Sequence, residues 1–424
     1  MFKTRKRKPF KFEGFVPYDK SITHRALILG LIASGETIVE GFSKCRDCLN
    51  TLNCLKKLGS EIEIKENILI LKSKGINSLK TPLSPLYVGN SGTTIRLLLG
   101  ALAGSNVQTV TISGDSSIKK RPMLRVINPL RKMGALIYNN TAPLTLRGKK
   151  LKGISYTIPM PSAQVKSSLL LAALNAEGKT ILKGEILSRD HTERLLPLFG
   201  CEIQKTTTTL TVKPTFLKAA HIKIPGDISS ASFLLALPLL VKGSIVTLKN
   251  VGLNITRLGI LNIFKKMGAS VDIKRTSFFG LEPVGDVTVE LSGNLYGVEV
   301  KKEEIPFLID EIPLLAVVAT QAIGKTIIEG VEELRFKESN RLKAILLELK
   351  KLGVEIACLK NNLIITGPTK IKGGVVWHHN DHRIAMSLAI AGFASEIGVT
   401  VDGIDIAAIS FPGFKEYLEV IKNL

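Results

Sequence analysis

The chain has 424 residues, enough for two or three domains with cores of their own, so it has no need of disulfide staples. Its residues are 45% hydrophobic but only 5% aromatic, which makes the core aliphatic. Its formal net charge of +22 favours anions: nucleic acid, acidic lipid, or small phosphorylated or carboxylated molecules. Five cysteines do not form the pattern of an oxidised secreted framework, and the longest apolar run, ASFLLALPLLV, is too short to span a bilayer and is broken by Pro238.

The basic start, MFKTRKRKPFKF, has no apolar run behind it before Glu13, so it does not read as a signal peptide and a cytoplasmic protein is expected. An apolar helix follows, opening at DKSITHR and running past Gly30 to Gly35, where ETIVEG alternates like a half-buried strand. Cys45, Cys48 and Cys54 fall on or near one further helix. Their C-x-x-C has no second pair at zinc-ribbon spacing and reads as structural. That helix ends in LNCLKKLGSEIEI at Gly59.

Both pieces then recur. The apolar helix leading into a glycine and a strand returns as IRLLLGALAGSNVQTVTISG, SSLLLAALNAEGKTILKG, ASFLLALPLLVKGSIVTLKN, IPLLAVVATQAIGKTIIEG and IAMSLAIAGFASEIGVTVDG. Their glycines are Gly104, Gly178, Gly243, Gly324 and Gly398. The helix ending in basic or bulky residues before a glycine returns as INPLRKMGALI, RLLPLFGCEI, LNIFKKMGASVDI and LLELKKLGVEI. Gly134, Gly200, Gly268 and Gly353, like Gly59, are expected just beyond helix ends in left-handed conformation. FKEYLEVIKNL is a sixth such helix, cut short by the chain end. The chain therefore holds six copies of a helix–strand–helix–strand unit of about 65–80 residues, each too small to bury its own faces. Three and three are expected, divided near Pro225 and Gly226.

Each apolar helix carries its polar residues at its mouth: DKSITHR, GNSGTTIR, PSAQVKSS, PGDISSAS, IDEIPLL and NDHRIAMS. Singly these are ordinary N-caps. Together they aim free N–H groups and the positive ends of six helix dipoles. Lys20, Arg25, Arg96, Lys166 and Arg383 lie within the first turns, and RPMLR (Arg121, Arg125) and KESNR (Lys337, Glu338, Arg341) lie in similar places. Converging cations of this kind suit a small molecule bearing phosphate and carboxylate groups. Three acids stand among them. Asp310 and Glu311 open one helix, and Glu338 either acts on a proton or simply pairs with Arg341 across a helix face at i, i+3. WHHNDHR does not read as a metal site, because His378 and His379 on a strand would point to opposite faces and no H-E-x-x-H is present. GNSGTT lacks the Gly-Lys-Ser/Thr of a P-loop.

DKSITHRAL, GNSGTTIRLL, KRPM, PSAQVKSS, PGDISSA, IDEIP, ESNR, DHRIAMS and SFP follow one another in this order over nearly the whole chain. The series resembles the 5-enolpyruvylshikimate-3-phosphate (EPSP) synthase family, the 3-phosphoshikimate 1-carboxyvinyltransferases. The resemblance implies an α/β fold, the inside-out α/β barrel, with two similar domains of three βαβαββ units each. One domain would be discontinuous, residues 1–18 and 227–424, the other would be 19–226, and the active site would lie in the cleft between them. Two domains with facing cationic mouths would repel when empty and close on bridging anions.

The implied reaction joins shikimate 3-phosphate to phosphoenolpyruvate and releases phosphate, in the cytoplasm, with a monomer and without metal or organic cofactor, nucleic acid or membrane. C3 of the enolpyruvate is protonated as the 5-hydroxyl adds to C2; the adduct then loses a C3 proton and phosphate. Carried over by motif, Lys20, Ser21, Arg25, Ser162, Gln164, Asp310, Lys337 and Ser188 would bind shikimate 3-phosphate. Lys20, Gly92, Arg121, Gln164, Arg341 and Arg383 would bind phosphoenolpyruvate. Asp310 would accept the proton of the 5-hydroxyl, and Glu338, aided by Lys20, would serve C3.

Three positions bear on the family pattern. Tyr18 stands where glycine is usual, and positive φ there would strain it. Ile409 replaces a common lysine before SFP. Gly92 is kept where herbicide-insensitive members carry alanine, which implies sensitivity to glyphosate. The sister enzyme acting on UDP-N-acetylglucosamine would need a cysteine near KRPM, where none of the five lies. A nucleic-acid-binding protein fits the charge but not the scarcity of stacking aromatics.

Overall fold

One order of elements recurs along the chain: strand, apolar helix, strand, amphipathic helix, two strands. The computed structural model describes residues 1–424 and divides into two units. The first comprises Met1–Pro17, Gly226–Ser277 and Pro283–Leu424. The second comprises Tyr18–Pro225 together with Phe278–Glu282.

In the second unit the apolar helices are α1 (Lys20–Ile32), α2 (Gly92–Ala103) and α3 (Ala163–Ala173). They lack the single apolar stripe of a surface helix; in α1 every residue from Ile22 to Ile32 is buried, so the helix is enclosed. α2 packs against both α1 and α3. The α2–α3 approach is close enough that a Cβ on Gly100 would stand 2.1 Å from the Ser168 carbonyl oxygen, so only glycine fits.

Three four-stranded sheets surround these helices. Their strand orders are His221–Lys223, Ser34–Glu40, Ile68–Lys74, Glu61–Lys65; Leu86–Tyr87, Val110–Ser113, Leu144–Arg147, Leu136–Tyr138; and Ser155–Ile158, Thr180–Gly184, Thr209–Val212, Ile203–Lys205. In each, the first pair is parallel and the rest antiparallel. Alternation sorts their faces: Leu69 and Leu71 turn inward and are fully buried, while Ile68 and Lys72 face outward. Each fully buried Leu or Ile contributes about 1.5–3 kcal/mol.

The first unit repeats the plan with α4 (Ile228–Leu235), α5 (Ile312–Ala319) and α6 (His382–Ala391). Its sheets are Lys11–Gly14, Ile245–Gly252, Glu282–Glu290, Ser270–Phe279 and Glu299–Val300, Gly324–Ile328, Asn362–Gly367, Glu355–Leu359. The third has only three strands, Gly374–Val376, Val399–Val401 and Phe2–Thr4. The last repeat ends with helix Phe414–Asn423 and has no closing hairpin, and the N-terminal strand pairs antiparallel in that place. Helices inside and sheets outside make each unit an inside-out α/β barrel, with three βαβαββ repeats in the second unit and, in the first, two and a third whose hairpin is replaced by Phe2–Thr4.

The two leading strands are exchanged. Lys11–Gly14 precedes α1 in the chain but pairs with Ile245–Leu248, whereas His221–Lys223 precedes α4 but pairs with Ile38–Glu40.

Helix ends follow the local sequence. Gly59, Gly134, Gly200, Gly268 and Gly353 all have φ between 83° and 106°, as expected of residues beyond helix ends. Five of the six apolar helices are capped by a side-chain oxygen, from Asp19, Ser91, Ser162, Asp227 and Asp381, each worth about 1 kcal/mol. Tyr18 has no positive φ, so the backbone there carries no strain.

Candidate active site

At the mouth of α1 the Asp19 Oδ1 accepts from Ile22 N at 2.8 Å, which sets Lys20 as the first helical residue. The Lys20 ammonium lies 2.9 Å from Asp47 Oδ2, at the start of helix Arg46–Lys57. Arg25, one and a half turns on, is nearly buried and donates to Thr192 Oγ1 at 2.8 Å, Ser167 Oγ at 2.9 Å and the Ser21 carbonyl at 2.9 Å. His24 is fully buried. Burial, then the neighbouring Lys20 and Arg25, push it well below 6.5, so it is neutral and not another cation. Its Nδ1 meets Thr51 Oγ1 at 2.8 Å; Thr51 meets Thr94 at 2.7 Å, and Thr94 donates to the Ser91 cap at 2.7 Å. A buried polar chain thus joins the mouth of α1 to that of α2.

Gly92 is the first residue of α2, and two guanidinium groups crowd it. A Cβ there would stand 2.6 Å from Arg96 Nη1 and 2.8 Å from Arg121 Nη1. Arg96 also donates to Gln164 Oε1 at 2.6 Å, and Gln164 donates to Thr93 Oγ1 at 3.0 Å, so the α2 and α3 mouths are held together. Ser162 caps α3 through Val165 N. Lys166 is buried; its ammonium donates to the Ile186 and Ser188 carbonyls and pairs with Glu193 at 2.7 Å. The Ser188 hydroxyl is buried and has no partner. The second unit therefore gathers Lys20, Ser21, Arg25, Gly92, Arg121, Ser162, Gln164 and Ser188 around three helix mouths.

In the first unit Arg341 opens helix Arg341–Lys351 and is 1% exposed, yet touches three carboxylates. It reaches Asp381 Oδ2 at 2.8 Å, Asp310 Oδ1 at 3.1 Å and Glu338 Oε2 in a close pair. Burial opposes its charge, but Asp381, Glu338 and Asp310 together hold its pKa above the ordinary arginine value. Lys337 stands 3.4 Å from the same Asp310 oxygen. Arg383 donates to Glu311 Oε1 at 3.1 Å and to the Asp310 carbonyl at 3.3 Å. Asp310, Lys337, Glu338, Arg341 and Arg383 therefore form one alternating-charge cluster at the mouths of α5 and α6.

Four expectations change. Glu338 does not share a helix face with Arg341: it precedes the Asn340 cap, and the pair forms by the chain folding back. His378 and His379 lie beyond strand Gly374–Val376, where His378 stacks on Trp377 and His379, with φ 51°, bonds Glu348 at 2.8 Å. No group of three or more His, Cys, Asp or Glu converges as a metal cage. Lys166 faces inward and pairs with the buried Glu193 carboxylate. Tyr18 is unstrained.

No motif read from the sequence picks out Asp47, Thr192, Glu193 or Arg257. Arg257 is buried and bonds Asp227 at 3.1 Å and Ser229 at 2.6 Å at the mouth of α4. A search for acids or hydroxyls to match each buried cation would have raised the first three, and a search for a cation to match the Asp227 cap would have raised Arg257.

A sequence profile described as EPSP synthase (3-phosphoshikimate 1-carboxyvinyltransferase) matches residues 5–418. The chain is 45% identical to the 3-phosphoshikimate 1-carboxyvinyltransferase of Alkaliphilus metalliredigens over 97% of its length and 98% of that protein's. It is 46% identical to that of Bacillus subtilis, over 97% of both chains. Among solved structures, an EPSP synthase from Acinetobacter baumannii superposes with a TM-score of 0.86 at 38% identity, covering 99% of this chain and 97% of that one. The enolpyruvyl transferase NikO from Streptomyces tendae shares the fold, with a TM-score of 0.80 at 15% identity over the same shares of each chain.

Proposed function

The chain belongs to the EPSP synthase (3-phosphoshikimate 1-carboxyvinyltransferase) family, and from the residues at its helix mouths we infer how it performs that family's reaction. It transfers the enolpyruvyl group of phosphoenolpyruvate to the 5-hydroxyl of shikimate 3-phosphate and releases phosphate, in the shikimate pathway to chorismate and the aromatic amino acids.

The observation that carries the assignment of roles is the cluster of Asp310, Glu338 and Asp381 around the buried Arg341. A guanidinium held among carboxylates stays charged, and so keeps Asp310 and Glu338 in place as proton carriers. Asp310 takes the proton of the 5-hydroxyl as that oxygen adds to C2. Glu338, with Lys20, delivers the proton to C3 and removes one when phosphate leaves. General acid–base help of this kind is worth roughly 10²–10⁴-fold. Arg341 and Arg383, with Lys20, Gly92, Gln164 and Arg121, hold the carboxylate and phosphate of phosphoenolpyruvate. Lys20, Ser21, Arg25, Ser162, Gln164, Ser188, Asp310 and Lys337 hold shikimate 3-phosphate.

Supporting it, the second unit presents hydroxyl, amide and cationic groups at three helix N-termini, where dianions are favoured. The orphaned Ser188 hydroxyl lacks only a ligand. We take the enzyme to be a monomer in the cytoplasm, which light scattering and cell fractionation check. No helix is long and apolar enough to cross a membrane.

The test is phosphate release from the two substrates in D2O. Turnover should carry deuterium into the C3 methylene, and Glu338→Gln should slow release and incorporation together. Unchanged release in Asp310→Asn and Glu338→Gln would remove the assigned roles.

A further inference from the structure

We propose that Lys166, with Glu193, is a positioning residue for shikimate 3-phosphate, acting through Ser188 and not by touching substrate. This rests on the reading of Ser188 as a ligand.

Lys166 lies in the first turn of α3, where a cation directed at an anion would be expected, yet it is 1% exposed. Its ammonium donates to the Ile186 carbonyl at 2.9 Å and the Ser188 carbonyl at 3.1 Å, and it forms an ion pair with Glu193 Oε1 at 2.7 Å, a contact without hydrogen-bond geometry. All three contacts are internal, and a group so enclosed does not reach a substrate. Burying such a group is costly, and an apolar side chain of similar length would fill the same space without that cost.

What the ammonium does hold is one segment. Residues 186–193 carry Ser188, whose buried hydroxyl has no partner, and Thr192, which accepts from Arg25 and donates to Ser167 at 2.7 Å. Two backbone carbonyls and one carboxylate on a single cation fix the path of this segment from both ends. Lys166 thereby sets where the Ser188 oxygen stands, and Thr192 ties the same segment to Arg25.

The test is steady-state kinetics on the full-length enzyme as a double-mutant cycle. Lys166→Met alone would leave Glu193 charged and buried, so the pair is replaced together as Lys166→Met/Glu193→Leu, with folding checked by circular dichroism. Ser188→Ala should raise KM for shikimate 3-phosphate about tenfold. The pair replacement should do the same, with kcat and KM for phosphoenolpyruvate changed less than about threefold, and the triple variant should add no more than about twofold. Multiplying effects, an unchanged KM in the pair replacement, or a kcat loss without the KM rise each overturns the proposal while leaving Ser188 a ligand. No effect of Ser188→Ala alone removes Ser188 from the site and the proposal with it. If the pair replacement does not fold, Glu193→Gln takes its place, with a smaller rise in the same KM that must vanish in the Ser188→Ala background.

Discussion

The ring of Tyr18 lies directly over the backbone of Gly41, where a Cβ would come within 2.4 Å of its Cε1. Gly41 has φ +72°, so it needs glycine for its backbone as well as for the space. The Tyr18 ring thus takes the space that a side chain at position 41 would need. Tyr18 is the residue before the Asp19 cap, so its seat fixes the approach to Lys20.

Gly41→Ala should destabilise the protein by about 1–3 kcal/mol through overpacking and positive-φ strain. Tyr18→Gly in the same chain should recover the overpacking part only. Thermal denaturation of the three variants checks this; an unchanged midpoint in Gly41→Ala would show that the ring moves aside freely.

Gly92→Ala places a methyl group against Arg96 and Arg121, whose flexible ends must shift. KM for phosphoenolpyruvate should rise about tenfold, a lost charge-assisted contact, while KM for shikimate 3-phosphate changes little. The parent enzyme should be inhibited by glyphosate in competition with phosphoenolpyruvate, and the variant less so. Equal inhibition of both proteins would place the herbicide elsewhere.

Arg341→Met leaves Asp310, Glu338 and Asp381 facing one another without their shared cation. Removing one partner of a buried ion pair costs about 3–5 kcal/mol, so the midpoint in urea should fall sharply and activity should be lost. A variant as stable as the parent would mean the three carboxylates find other partners.

Asp47→Asn removes the charge that holds the Lys20 ammonium at 2.9 Å. If Lys20 serves both substrates, kcat/KM should fall for each, by about tenfold, with little change in stability. A fall confined to one substrate would restrict Lys20 to that substrate.

His24 gives a pH dependence of stability. Its folded pKa is held well below 6.5 by burial, Lys20 and Arg25, so below pH 6.5 the unfolded chain takes up a proton that the folded chain refuses. Its contribution is whole above that value and declines below it, by about a factor of ten in the folding equilibrium per pH unit, until the folded ring titrates. Denaturation at about pH 7.5 and about pH 5.5 should show a smaller loss in His24→Asn than in the parent. Equal losses would place the proton uptake on other groups.

What could be read from the sequence was whatever is settled locally. Gly59 and its four counterparts follow from the chain passing through left-handed conformation, and Asp19, Ser91 and Asp381 from orphan N–H groups one turn away. The cations at the helix mouths were visible because the repeats stack them in register. Their partners were not: Asp47 is 27 residues from Lys20, and Thr192 is 167 from Arg25. Burial also reverses roles that composition assigns. Lys166 and His24 share the mouths with Lys20 and Arg25, but one is used internally and the other is uncharged. The exchange of leading strands has no signal of its own in the residues, because His221–Lys223 is too short to carry a pattern; it enters only through the domain bounds that the family resemblance implies.

That exchange, with Phe2–Thr4 closing the last sheet, sets a timetable for synthesis. The second unit has its continuous segment once Pro225 has left the ribosome, lacking only Phe278–Glu282. The first unit cannot close its last sheet until Val399–Val401 is made, since Phe2–Thr4 pairs with it. At about 5–20 residues per second, Phe2–Thr4 waits roughly 20–80 s for that partner strand. Phe2, buried in the finished unit, has no sheet to join in that interval, whereas Phe10 adjoins Ile245, which is made much earlier. Lys3, Arg5, Lys6, Arg7 and Lys8 lie in or beside the waiting strand, and charge at an unpaired strand disfavours pairing with other chains.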